Sequence, residues 1–233
     1  MKKILYFFIL FFIFSYGSEI LDIYGSFEDG KLTGWEKIDG RCEYNIVEDA
    51  RDGKYCLNIK ANDARYFSPG IKINPDIIWD IKKSLKVSFS IKFLQRYNGY
   101  FVAFYLKGKP VGKESPVYRF YNFIIHCGEK EFDLIRKEKK LWGWNQEERL
   151  NAFDALKPDN NTFLYWIGKK VQTDSWNLKQ NEWFDFEIDL KDSLNVEGRP
   201  EIPEKIDIFE VGFLNYIYNT TNWIVDNIKI KAE

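Results

Sequence analysis

Residues 85–93 read L-K-V-S-F-S-I-K-F, apolar at Leu85, Val87, Phe89, Ile91 and Phe93 and polar at Lys86, Ser88, Ser90 and Lys92. Residues 184–190, F-D-F-E-I-D-L, repeat the pattern. A period of two marks strands with one face buried and the other wet. Working outward, further strands are expected at 41–47, 55–60, 100–106, 118–127, 162–168, 206–214 and 223–231. Turn chemistry separates them at Asp52-Gly53, Ser68-Pro69-Gly70, Asn98-Gly99 and Lys107-Gly108-Lys109-Pro110. Many short strands at this spacing predict an all-β, antiparallel β-sandwich of the jelly-roll kind.

No internal repeat or Pro/Ser-rich linker divides the chain, so residues 18–233 are expected to form one domain. One stretch departs from the pattern. Charges dominate from Glu129 to Lys140, then Leu141-Trp142-Gly143-Trp144 follows. Asn145 with Glu148 forms a capping box, predicting a short helix through about Leu156 that Pro158 stops. Residues 129–160 therefore read as a loop and short-helix insertion on the sandwich.

Lys2 and Lys3 precede an apolar run from Ile4 to Phe14 and then Ser15-Tyr16-Gly17. This is the layout of a secretory signal peptide over residues 1–17, and a secreted or cell-surface product is expected. The run falls short of the roughly 20 apolar residues of a comfortable span, and an uncleaved anchor is the alternative. The sequons at Asn160 and Asn219 are surface indicators.

A net charge of −1 and a pI near 6.1 leave no basic face for tracking phosphates, so no nucleic-acid partner is expected. Three cysteines leave at least one unpaired. Parity puts Cys42 on the face of Tyr44 and Ile46, turns Cys56 the other way, and puts Cys127 with Phe123 and Ile125. A Cys42–Cys127 bridge is thus favoured over Cys42–Cys56, with three inert thiols as the alternative.

Two end fragments, Y-G-S-F-E-D-G-K-L-T-G-W (24–35) and W-I-V-D-N-I-K-I (223–230), each put a carboxylate, Glu28 and Asp226, at the edge of an expected strand. First and last strands lying side by side would bring the two together. With D-G-K-Y-C-L-N-I (52–59), I-K-I after Ser68-Pro69, and E-W-F-D-F-E-I-D-L (182–190) between them, the chain resembles carbohydrate-binding modules of families four, nine and twenty-two, which are galactose-binding-like jelly rolls. The match covers 24–100 and 182–231 well and 101–181 loosely.

The resemblance implies a structural calcium where the ends meet. Side-chain oxygens would come from Glu28 and Asp226, and main-chain carbonyls from near Ser26 and Lys54. Calcium takes six to eight hard oxygens, many from loop backbone, so the chemistry fits. A turn acid and a bulge acid are the plain alternative. The resemblance also implies non-catalytic binding of a glycan or polysaccharide. Sugar C–H faces stack on aromatic rings while their hydroxyls seek planar polar groups. The expected ligand contacts are Tyr66, Tyr97, Tyr100, Trp142, Trp144 and Trp166, each set against ordinary burial. The family pattern assigns Trp35, Trp183 and Trp223 to the core.

Two other classes stand beside this reading. Glu187, Asp189 and Asp192 approximate the paired carboxylates of a glycosidase, although a solvated sheet face explains them without catalysis. His126 stands alone, which excludes multi-histidine metal catalysis. A cell-envelope protein using the fold for adhesion is the remaining class. The expectation is no enzyme.

Overall fold

The computed structural model describes residues 25–38, 42–61, 70–95, 100–126, 162–166, 180–194, 201–216 and 221–233. The expected alternation becomes strands. They are β1 (Glu36–Lys37), β2 (Glu43–Val47), β3 (Cys56–Ala61), β4 (Gly70–Ile73), β5 (Ile77–Asp80) and β6 (Leu85–Phe93). The series continues with β7 (Tyr100–Pro110), β8 (Tyr118–His126), β9 (Thr162–Trp166), β10 (Trp183–Asp189), β11 (Lys205–Tyr216) and β12 (Thr221–Ala232).

These strands form two sheets. One has the order β1-β4-β11-β7-β8-β9, with β5 also pairing β11; the other has the order β10-β6-β12-β3-β2. Pairing is antiparallel except between β8 and β9, which run parallel. Parallel neighbours need a connection of a dozen residues or more, and residues 127–161 lie between these two strands in sequence. β5 was not expected. It is four residues long, pairs only with β11 and leaves Ile78 exposed, so it carries no clear period.

The inner faces meet in one apolar core. Leu85, Val87, Phe89, Ile91 and Phe93 face inward as the alternation requires. Phe89 lies at its centre, 5.4 Å from Phe186, 5.8 Å from Phe104 and edge-on to Phe213 at 5.0 Å. Each such ring contributes about 1.5–3 kcal/mol by leaving water. Trp35 and Trp223 belong to this core. Trp183 does not. It is half-buried and shares the parity of Asp185, whereas Phe186 and Ile188 point inward.

Cysteine parity holds in the described part. Cys42 joins the core, while Cys56 is buried outside it, its thiol against the Val47 carbonyl at 3.7 Å. Cys127 and the expected helix lie outside the described residues.

Candidate functional site

The chain ends meet, but not as adjacent strands. β1 lies in the larger sheet and β12 in the smaller one. Residues 25–35 run instead as turns, with Gly30 and Gly34 in the left-handed region. Phe27 anchors the segment in the core 6.2 Å from Trp35. At its head, a Cβ on Gly25 would fall 1.9 Å from the Ile228 carbonyl oxygen, so only glycine allows this approach to β12.

Glu28 and Asp226 converge on the same connection, residues 48–55. Glu28 Oε1 accepts the amides of Lys54 (2.9 Å) and Tyr55 (2.8 Å). Asp226 Oδ2 accepts those of Arg51 (2.8 Å) and Asp52 (3.3 Å), and its Oδ1 accepts the Asn227 amide at 2.8 Å. Gly53, at φ 77°, leaves room for the Glu28 carboxylate, which a Cβ there would meet at 2.6 Å. A bulge in β12 between Asp226 and Lys229 reverses parity, so Asp226 faces outward and Ile228 inward.

Asp226 is wholly buried (0% exposed). Burial raises its pKa above the ordinary aspartate value, and the nearby charge of Glu28 adds to the rise, against the three amide hydrogen bonds. The two carboxylates offer the hard oxygen that a cation such as calcium takes, and each of their oxygens already accepts a main-chain amide. Among the described residues no three Asp, Glu, His or Cys side chains gather. Further oxygens would have to come from main chain or water. Lys54 is placed by its amide, which the Glu28 carboxylate occupies.

The connection 48–55 is strapped across the outer face of the smaller sheet. Arg51 grips Asp185 of β10 through two nitrogens (3.1 and 2.9 Å), and Asp185 also accepts Ser90 Oγ at 2.7 Å. Asp49 pairs with Lys92, which is 7% exposed.

The outer face of the larger sheet is unlike an ordinary wet face. Ala103, Tyr105, Tyr121 and Leu214 stand at its centre, where alternation alone would put polar groups. The rings of Tyr105 and Tyr121 stack at 5.9 Å and 28°, and are 1% and 4% exposed. Gly212 opposite Tyr105 lets that ring lean across β11. Tyr105 donates to Glu210 at 2.9 Å, and Lys107 (2.7 Å) and Lys72 (3.8 Å) flank the same carboxylate. Burial pushes Glu210 up, but Lys107, Tyr105 and Lys72 outweigh it and hold its pKa below the ordinary value. Lys72 also reaches Glu36 at 3.1 Å. The tyrosines are thus a buried floor, and the partly exposed charges beside them form its accessible rim.

Of the aromatics expected from sequence, two fall in described strands of this sheet. Tyr100 opens β7 in register with His126, and Trp166 ends β9 in register with Phe123. Tyr66, Tyr97, Trp142 and Trp144 lie outside the described residues. Sequence reasoning missed Tyr105 and Tyr121. Their signal was present, since Y-F-V-A-F-Y-L and Y-R-F-Y-N-F are apolar or aromatic at both parities.

The chain is similar to solved carbohydrate-binding modules. The CBM22-2 xylan-binding domain from Paenibacillus barcinonensis matches at 11% identity over 90% of this chain and 98% of that one, with TM-score 0.46. The CBM22-1 xylan-binding domain from the same organism matches at 9% identity over 89% and 91%, with TM-score 0.45. A family 11 module from Clostridium thermocellum, solved with a beta-1,3-1,4-mixed-linked tetrasaccharide, matches at 14% over 88% and 92%, with TM-score 0.43. No protein-family model matches the sequence, and no curated protein matches it.

The acids weighed for catalysis have local work. Asp189 accepts Ser84 Oγ at 2.6 Å and the Lys191 amide at 3.0 Å, capping a 3₁₀ turn at Leu190–Leu194. Glu187 is exposed on the same wet face.

Proposed function

We propose that this protein is an exported, non-catalytic glycan-binding β-sandwich. One observation carries the reading: the outer face of the larger sheet rests on a buried, stacked tyrosine floor and presents beside it a carboxylate held between two partly exposed lysines. Sugar hydroxyls would pair with that carboxylate and ammonium rim, and the C–H faces of pyranose rings with the aromatics named next. Trp142, Trp144, Tyr66 and Tyr97, with Tyr100 and Trp166, complete the proposed contacts. Calcium at Glu28 and Asp226 would serve the fold, since both acids act on the 48–55 connection rather than on this face.

The test is affinity electrophoresis of the protein lacking residues 1–17, in gels containing xylan or mixed-linkage β-glucan. Retardation by at least one polymer is expected. Trp142→Ala and Trp144→Ala should reduce it while the melting temperature holds. A wild-type protein that runs unretarded through a wide panel of polysaccharides would overturn the reading.

A further inference from the structure

Trp183 is half-buried on the outer face of β10, outside the core. Its neighbours Phe186 and Ile188 go inward, yet its own parity sends it out with Asp185, on β10, the last strand in the order of the smaller sheet. This is the sheet opposite the tyrosine floor. The ring is held rather than loose. Lys92, directly across the ladder, places Nζ 5.0 Å from the ring centroid, and Asp49 fixes that ammonium. On the N-terminal side, Asn181 adopts φ 66° and donates its amide to the Phe93 carbonyl at 2.9 Å, while Gln180 Nε2 donates to that of Leu94 at 2.9 Å. Two hydrogen bonds to the end of β6 thus fix the chain just before the tryptophan.

Polar groups ring it in planar form. Asp185, two residues on, carries the two-pronged Arg51 pair, both partners about half exposed. Asp49, also about half exposed, borders the Lys92 side. A half-buried indole with its ammonium fixed, bordered by a carboxylate and a guanidinium in set geometry, has the parts that sugar recognition uses.

We propose that Trp183, with Asp49, Arg51 and Asp185, forms a second glycan contact on the smaller sheet. The charges commit it to an uncharged chain. Asp49 is matched by Lys92 and Asp185 by Arg51, while exposed Glu187 leaves the edge negative. An acidic polysaccharide would be repelled. Two contacts on opposite sheets let one molecule engage two strands of a polymer, or one strand twice, so avidity enters without tighter single sites. This inference rests on the glycan-binding reading above.

The closing experiment runs Trp183→Ala and Trp183→Phe beside the wild type in gels of xylan, mixed-linkage β-glucan and polygalacturonate, with melting curves for each variant. Trp183→Ala should weaken the apparent affinity for a neutral polymer by three- to tenfold, roughly the size of one stacking contact. Trp183→Phe should recover part of it, and polygalacturonate should retard none of them. A wild type retarded by a neutral polymer and a folded Trp183→Ala retarded equally would overturn this second contact alone. Retardation by polygalacturonate that Trp183→Ala abolishes would overturn the choice of an uncharged ligand. Failure of the wild type on every polymer would remove the glycan reading and this inference with it.

Discussion

Asp226→Ala should be among the most damaging single changes outside the core. The carboxylate accepts amides from Arg51, Asp52 and Asn227, at 2.8, 3.3 and 2.8 Å, from a site with no exposure to water. Alanine removes the acceptor and leaves the donors. A buried donor left unpaired costs about 1–3 kcal/mol, and the two short bonds set the scale at about 2–6 kcal/mol. Loss of a buried charge that Glu28 repels returns part of this. The net expectation is about 2–4 kcal/mol, against the roughly 5–15 kcal/mol that holds a typical domain. Asp226→Asn keeps one acceptor oxygen and should cost less. The assay is equilibrium urea unfolding at neutral pH with chelator present, reading the midpoint at unchanged slope. A loss under about 0.5 kcal/mol, the range of ordinary surface substitutions, would refute the claim that this side chain pins the 48–55 connection.

Acid should separate two carboxylates of opposite character. The pKa of Glu210 is lowered in the fold, so its ionised form stabilises above the ordinary carboxylate range and that contribution fades as pH falls; the stability gap to Glu210→Gln should narrow on acidification. Asp226 is raised, so the fold gains as it protonates, and the gap to Asp226→Ala should widen over the same interval; parallel trends in urea midpoints would contradict both assignments. Burial pushes the Cys56 thiol up to about 12, so alkylation at mild alkaline pH, followed by peptide mapping, should label it only after unfolding. Rapid labelling of the native protein would count against that burial. Calcium at about a hundredfold over its Kd should stabilise the protein by ~2.7 kcal/mol, seen as a higher melting temperature than with chelator; identical curves would end the calcium proposal.

The strands that sequence predicts best are those with one dry face. Residues 85–93 alternate without interruption because β6 has the core on one side and mostly polar groups on the other, and its observed limits match the expected ones. β12 is harder. In W-I-V-D-N-I-K-I the bulge moves the inward set from Trp223 and Val225 to Ile228 and Ile230, and leaves Ile224 buried outside the core. No period survives such a step, although Asp226-Asn227 marks where it falls, with Asn227 at φ 52°. β7 is harder still, because both its faces are covered and a continuous apolar run has no period to read.

Trp183 shows where a borrowed pattern misleads and local physics does not. A family pattern that puts a tryptophan at a strand start assigns it to the core. The alternation of Phe184, Phe186, Ile188 and Leu190, taken one residue further back, assigns it to the outer face with Asp185. The structure follows the alternation, because a side chain cannot change faces without a bulge and β10 pairs with β6 in unbroken register from Trp183 to Asp189. The same rule gives the end carboxylates their meaning. Asp226 faces the 48–55 connection because it shares the outward parity of Ile224; the bulge that follows turns Ile228 inward, and Gly25 lets the first segment touch Ile228. Closure at the chain ends is therefore built by one bulge and one glycine rather than by pairing of the first and last strands. It stands on the same sheet as Trp183, on the side away from the tyrosine floor. A change at Asp226 should accordingly reach the Trp183 contact through Arg51 and Asp49 before it reaches Tyr105 and Tyr121.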